Sequence, residues 1–457
     1  MNSNYESPFS NRYGSKEMRR LFSPDMKFRT WRWLWVILAK AEKELGLPIT
    51  DEQITELERK IHDINYIEAE KIEMKTHHDV MAHIKAYGLQ CPKAAGIIHL
   101  GATSSYITDN TDVIIMRDAL KIVDNKLFDL ICDIGALARK YKDVPILGYT
   151  HYQPAQPTTV GKRMTMWLQD LWMDMDDLRH VTRTIKTLGC KGATGTQASF
   201  LKLFDGDHRK VYQLDKIVCE QIGIYSYPIT GQTYPRKLDK RIYDILSSIA
   251  VSTGKMANDI RLMQHDGEIC EGFGKSQVGS SAMAYKKNPL NCEKVVALSR
   301  RVITDSLNPA LTASVQWLER TLDDSANRRL VISEGFLAID EILDTCISII
   351  NRLVINEKVI EANLERELPF LMSENVIMEL AKSGVDRQSA HELIRQLSVK
   401  SRDTGESMLN LMGEAFSKYG ITYDKLVEMA NPSDYVGCAR VQTRVYLGDD
   451  SGHEFKY

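Results

Sequence analysis

Between Gly279 and Pro289 the chain reads Gly-Ser-Ser-Ala-Met-Ala-Tyr-Lys-Lys-Asn-Pro, which brings two serine hydroxyls, two ammonium groups and an amide into one short segment. Gly272, Gly274 and Gly279 precede or open it, so the backbone can bend until its N–H groups converge on an anion. Beside those amides Lys286 and Asn288 could hold a carboxylate; the same composition also suits a solvated surface turn. From Gly148 to Pro157 a single histidine, His151, stands among Tyr, Thr and Gln just before a long apolar-periodic segment. An imidazole with a pKa near ~6.5 can give or take a proton at neutrality, so His151 is a candidate general acid, although a lone histidine is more often structural.

Three further segments carry convergent polar groups. Thr76-His77-His78-Asp79 resembles the start of a metal site, but adjacent histidines on a helix point apart and no third ligand stands nearby, so metal is disfavoured. Leu100-Gly101-Ala102-Thr103-Ser104-Ser105 leads to Asp109-Asn110-Thr111-Asp112, a pattern that could cradle an anion at a helix N-terminus or simply cap the helix. Glu319 to Arg329 sets three arginines around an acidic turn; they could fork a phosphate, or the acids could pair them into an ordinary network.

Other chemistries are excluded or disfavoured. No GxGxxG follows a strand, and at Gly274-Lys275-Ser276 a phosphate loop would need glycine at the position of Ile269. The eight cysteines form no CxxC pair and read as buried reduced thiols. With Lys+Arg 59 against Asp+Glu 61, the formal charge of -2 argues against a general nucleic-acid surface but not against a local basic pocket. The N-terminus lacks an apolar signal region and no stretch has the roughly 20 apolar residues of a membrane span, so cytoplasm is expected and a membrane is not.

A length of 457 residues suggests two or three domains. Proline-free intervals at 49–91, 93–144, 158–227, 236–288, 310–368 and 370–431 leave room for long helices. Apolar residues recur at helical spacing through Met164, Trp167, Leu168, Leu171, Trp172, Met175, Leu178, Val181 and Ile185, through Ile242 to Met263, and through Val331 to Val354. Period-two runs are rare, so the fold is expected to be all-α, an elongated bundle with several helices of roughly 25–30 residues, about 40 Å each. The intervals 91–111, 145–160, 189–199, 226–237, 265–291 and 321–327 read as loops and concentrate the candidate chemistry.

Taken in this order, the segments resemble the adenylosuccinate lyase family of the fumarase/aspartase superfamily. Ser280 to Pro289 looks like the superfamily signature, usually GSSxMPxKxNP, while THYQPAQ, LGATSS, ITGQTYPRKLD and QWLERTLDDSANRR look like this family's other site segments. The similarity runs from Asn11-Arg12-Tyr13 to about Ser398, and the last fifty residues match weakly. The resemblance implies three helical domains, at 1–103, 104–355 (a central long-helix bundle carrying the signature loop at 272–291) and 356–457. It implies a homotetramer whose active sites are each shared by three subunits, and a β-elimination of fumarate from succinyl-purine nucleotides, without cofactor or metal.

By their places in the motifs, Ser280 is the base and His151 the acid oriented by Glu293, with Lys286 and Asn288 on succinyl carboxylates and Thr103 and Ser104 on another. His77, His78 and Asp79 fall on the substrate side, Arg12, Tyr13, Arg320, Ser325 and Arg329 on the phosphate and ribose side, Gln232 beside the succinyl group or base, and Lys294 at a nucleotide contact. Three positions depart from the pattern. Ala284 replaces a proline, which should loosen the open loop by roughly 0.4–1 kcal/mol; Lys294 replaces an arginine, losing the bidentate fork; and His77 stands where an arginine is common. A sister lyase or cycloisomerase would not need the arginine group at 320–329, and a non-catalytic relative would not need His151, Ser280, Lys286, Asn288 and Glu293 together.

Overall fold

The computed structural model describes residues 4–274 and 277–449; Lys275 and Ser276, within the 272–291 segment, lie outside the described residues, as do 1–3 and 450–457. Helix follows helix along most of the chain. Short α1 (Pro8–Asn11) and α2 (Lys16–Leu21) lead into α3 (Pro24–Glu44). Ser23 caps α3 by accepting the Met26 N–H, and Pro24 fills its first position, where no amide partner is needed. α4 (Asp51–Arg59), α5 (Tyr66–Thr76) and α6 (Asp79–Gln90) follow.

Four helices are long: α7 (Ser104–Lys140, 37 residues), α8 (Val160–Thr184, 25), α11 (Lys237–His265, 29) and α14 (Asp324–Asn351, 28). Between them lie α9 (Ala198–Leu203), α10 (His208–Ile222), α12 (Leu290–Asp305) and α13 (Leu307–Ser314). The chain then continues through α15 (Glu357–Leu371), α16 (Ser373–Lys382), α17 (Arg387–Thr404), α18 (Met408–Phe416), α19 (Tyr423–Met429) and α20 (Ala439–Tyr446). The apolar stripe of α8 is buried from Met164 to Val181 except at Trp172, which is 36% exposed. It sits one residue past buried Leu171, about 100° further around the helix, on the flank of the stripe.

Local structure departs from the sequence expectation in four places. Residues 145–159, expected as loop, form an antiparallel hairpin of β1 (Pro145–Thr150) and β2 (Gln153–Thr159). α7 starts at Ser104, well inside the interval expected as loop. The third stripe overshoots its helix: α14 ends at Asn351, and Val354 belongs to β4 (Val354–Ile355), which pairs with β3 (Ile269–Cys270). The eight cysteines are free, but Cys132 and Cys438 are exposed.

The chain divides into two compact units. Unit one comprises the chain up to Phe128, Met173–Gly254 and Lys294–Thr345; unit two comprises Asp129–Trp172, Lys255–Glu293 and the chain from Cys346 onward. The boundaries fall inside α7, α8, α11, α12 and α14. In unit one, Trp31, Leu34 and Trp35 of α3 are buried, Trp35 packs 5.9 Å from Tyr87, and the Tyr106 hydroxyl donates to the Leu34 carbonyl at 2.9 Å. In unit two, Val376, Leu380, Ile394, Met412, Phe416 and Leu426 centre a small core built by α16 to α19. No helix among the described residues is long and apolar enough to cross a membrane.

Candidate active site

Unit one contains a cavity of about 610 Å³. The break between α5 and α6 supplies one wall, with His77, His78 and Asp79. These residues do not share a helix: α5 ends at His77, whose φ is +51°, and α6 begins at Asp79 with His78 as its extended N-cap. His78 Nδ1 accepts the Met81 N–H at 3.4 Å, so in the neutral ring the proton sits on Nε2. Asp79 accepts the Val80 N–H at 2.8 Å through one oxygen, while the other stands 3.5 Å from Arg329.

A second wall is the first turns of α7, including Ser104, Ser105 and Thr108. Gln232 enters from the bend before α11. Its N–H donates to the Glu319 carbonyl at 3.0 Å and its Nε2 to the Ala193 carbonyl at 3.1 Å, so its amide nitrogen is held by backbone. Gly231 permits that approach, because a Cβ there would meet the Glu319 carbonyl oxygen at 2.5 Å.

The floor of the cavity is a buried ion network. Arg236 forks Asp109 at 3.0 and 3.1 Å and donates through Nε to Asp324 at 2.6 Å. Arg328 donates to Asp239 at 2.7 Å, to Asp112 at 2.9 Å and to the Tyr234 hydroxyl. Tyr234 in turn donates to Asp239 at 2.6 Å, and Arg320 binds Asp324 at 2.9 Å. The network joins the N-terminal parts of α7, α11 and α14, where carboxylates are also favoured by the helix dipoles. Of the two readings open for the arginine turn, Arg320 and Arg328 take acid pairing, whereas the Arg329 side chain stays 65% exposed. Ser325 also lines the cavity.

Thr103, Arg12, Tyr13 and Lys294 are described but do not line it. Thr103 precedes α7 and its carbonyl accepts the Tyr106 N–H. The Arg12 guanidinium lies 5.9 Å from the Tyr13 ring centroid. Glu341 ties this segment to Lys294: one oxygen accepts the Gly14 N–H at 3.0 Å and the other pairs with Lys294 at 2.6 Å.

Unit two carries the signature loop. Ser280 Oγ accepts two backbone N–H groups, from Met283 at 3.1 Å and Ala282 at 3.3 Å; hydrogen bonds of this kind favour an alkoxide over a neutral hydroxyl. Asn288 donates to the Gly279 carbonyl at 2.8 Å and so clasps the loop closed on itself. At Gly279 a Cβ would overlap the Lys286 carbonyl oxygen, which only glycine avoids. Gln264 holds the Lys287 carbonyl at 3.0 Å, and buried Glu271 accepts the Asn291 and Cys292 N–H groups at 3.1 and 2.9 Å, fixing the start of α12. Lys286 and Glu293 are exposed.

His151 stands at the tip of the hairpin. Thr150 pairs with Gln153, so His151 and Tyr152 form a two-residue turn, with φ of +53° and +56°. A turn of this kind needs left-handed backbone at both positions and normally uses Asn-Gly; side chains there cost on the order of 1–3 kcal/mol each. The tip therefore holds an exposed histidine in a strained conformation. Tyr149, on the strand below, has its phenol pushed up to about 12 by burial and by nearby Glu268 and Asp266.

The cavity thus gathers His77, His78, Asp79, Ser104, Gln232, Arg320, Ser325 and Arg329. Lys294 pairs with Glu341, which also accepts the N–H of Gly14 next to Arg12 and Tyr13, and Ser280, Lys286, Asn288 and Glu293 belong to the loop and the first turn of α12. Sequence reasoning missed Arg236, and it missed Lys27, which lines the cavity from α3. The arginine turn at 319–329, read there as a phosphate fork or an acid-paired network, and the acids at 109 and 112 were its signals for the network.

Residues 6–304 match the family model described as lyase, and residues 369–445 match the model for the adenylosuccinate lyase C-terminus. The second match covers much of the stretch where the motifs are weak. Adenylosuccinate lyase of Schizosaccharomyces pombe is 46% identical across 98% of this chain and 94% of its own. The Saccharomyces cerevisiae protein of that name is also 46% identical, across 98% of this chain and 95% of its own, and that of Pyrococcus abyssi is 33% identical across 95% of each. The solved fumarate lyase of Mesorhizobium sp. BNC1 superposes with a TM-score of 0.83 over 98% of this chain and 100% of that one, at 21% identity. The 3-carboxy-cis,cis-muconate lactonizing enzyme of Pseudomonas putida gives 0.85 over 96% and 98%, at 22% identity. The structural matches establish the fold and the sequence matches the family: the chain belongs to the adenylosuccinate lyases, built on the mostly helical fold of the fumarase/aspartase superfamily.

Proposed function

We propose that this carbon–nitrogen lyase releases fumarate reversibly from two succinyl-purine nucleotides, converting adenylosuccinate to AMP and succinylaminoimidazole carboxamide ribotide to AICAR. The observation that carries the proposal is the match along nearly the whole chain to relatives named adenylosuccinate lyase.

The chemistry begins when Ser280 removes the proton from the carbon next to a succinyl carboxylate, leaving a dianionic aci-carboxylate. The two loop N–H groups on Ser280 Oγ favour the alkoxide that does this. Lys286 and Asn288, with Thr103 and Ser104 on the other carboxylate, meet the charge that develops. The electron pair then forms the fumarate double bond and expels the purine nitrogen, to which His151 gives a proton. Glu293 orients the imidazole. His77, His78, Asp79 and Gln232 bind the succinyl and base portions, and Arg12, Tyr13, Lys294, Arg320, Ser325 and Arg329 the ribose phosphate. No cofactor or metal is required for this sequence of steps.

The assignment extends to a cytoplasmic homotetramer with each active site completed by three subunits, and to domains at 1–103, 104–355 and 356–457. The assembly is supported by apolar side chains left exposed on the long helices, among them Trp172, Met173, Val251 and Leu262. Incubation with adenylosuccinate, followed by chromatography, tests the reaction: equal amounts of AMP and fumarate are expected, and an unchanged substrate with well-folded protein would overturn it.

A further inference from the structure

Five basic side chains line the cavity, and four of them are arginines already facing carboxylates: Arg236, Arg320, Arg328 and Arg329. The fifth is Lys27. Among the described residues it has no carboxylate within ion-pair distance; its ammonium instead lies over the rings of Trp31 and Phe28, 4.8 and 5.1 Å from their centroids. Three carboxylates have charge that reaches it: Asp112 is committed to Arg328 at 2.9 Å and Asp79 to Arg329 at 3.5 Å, while Glu73, which also lines the cavity, lies beyond ion-pair distance of it. Burial lowers the Lys27 pKa, which those acids only partly oppose. A partly buried ammonium held on aromatic faces, beside a cavity and without its own counter-ion, is a site built for a ligand's negative charge.

We infer that Lys27 binds an anionic group of the nucleotide in this cavity, setting affinity for the charged ligand rather than taking part in proton transfer. The inference rests on the reading under Proposed function, and it adds a residue that the family motifs do not mark. The anion is the phosphate or a succinyl carboxylate; both offer the same oxygen charge to an ammonium, and separate arms of one experiment tell them apart.

The experiment compares wild type, Lys27→Met, which keeps the alkyl stem over Trp31, and Lys27→Arg, which keeps the charge. With adenylosuccinate, Lys27→Met should raise KM by roughly 10–100-fold, as expected for losing one side of a charge pair, while kcat changes by less than about threefold. Lys27→Arg should recover most of the loss. AMP and fumarate, titrated separately by calorimetry, assign the anion: weakened AMP binding identifies the phosphate, and weakened fumarate binding identifies the carboxylate. Unchanged KM and unchanged binding of both in a Lys27→Met protein of normal thermal stability would overturn the inference while leaving the reaction in place. A wild-type enzyme inactive on adenylosuccinate would overturn the reading on which it rests.

Discussion

The cavity of unit one and the loop and hairpin of unit two are built on opposite principles. In the cavity the arginines of the floor are buried and paired with carboxylates from three helices, so each is locked in place by its partners. In the loop and hairpin Lys286, Glu293 and His151 are exposed, and the backbone itself carries the constraint, through the left-handed turn and the amides on Ser280. The charges of the cavity are organised by one another. The polar groups of the loop and hairpin are organised by main chain.

The largest test of that contrast is catalytic. Ser280→Ala and His151→Ala should each lower kcat by about 10²–10⁴ with thermal stability retained, because neither side chain supports the core. Mixing the two inactive proteins after subunit exchange should restore part of the activity; verified exchange without recovery would place all catalytic groups in one chain.

Arg236→Met should act in the reverse sense, destabilising the protein by about 3–5 kcal/mol because Asp109 is left buried without its cation and Asp324 keeps only Arg320. Denaturant unfolding measures it, and a loss below about 1 kcal/mol would mean the network is not a structural lock.

Acid should weaken the cavity side. His99, in the turn leading to α7, accepts the Trp35 indole N–H through Nδ1 at 2.9 Å, and burial lowers its pKa from 6.5 to about 4. A depressed histidine stabilises the fold above its unfolded pKa, and that contribution is lost as pH falls from about 6.5 towards 4, amounting to about 3 kcal/mol. His99→Asn tolerates the φ of +68° and keeps an acceptor without titrating. Thermal scans from pH 7 to pH 4 should show wild type losing more stability than the variant; parallel curves would exclude His99 as the titrating group.

The smallest effect is expected at Ala284. Ala284→Pro should restrict the open loop by about 0.4–1 kcal/mol, seen as a KM lower by about two- to fivefold. A higher KM would show that the native backbone there does not suit proline.

The same contrast explains what could be read from the sequence. Period-3.6 stripes located α8, α11 and α14 because those helices bury one continuous face. The hairpin was hidden by Pro154 and Pro157, which argue against a strand; a two-stranded ribbon tolerates them because one edge of each strand has no ladder to donate to. Ser280, Lys286 and His151 were legible because they sit in short contiguous motifs. The floor of the cavity was not, since Arg236 lies 127 residues from Asp109 and 88 from Asp324, and no local pattern joins residues that meet only after the helices assemble.

The hairpin also limits how this part of the protein can change in length. Its register shifts between Leu147 and Tyr149, at Gly148, where a Cβ would overlap the Gln156 carbonyl oxygen, and it closes two residues beyond Thr150. Because side chains alternate sides along a strand, gaining or losing one residue between Gly148 and Gln153 would rotate His151 to the opposite face or break the turn. Matched removal of one residue from each strand below Gly148 preserves the tip. Substitution should therefore be tolerated along most of this ribbon, whereas a single-residue insertion or deletion should not.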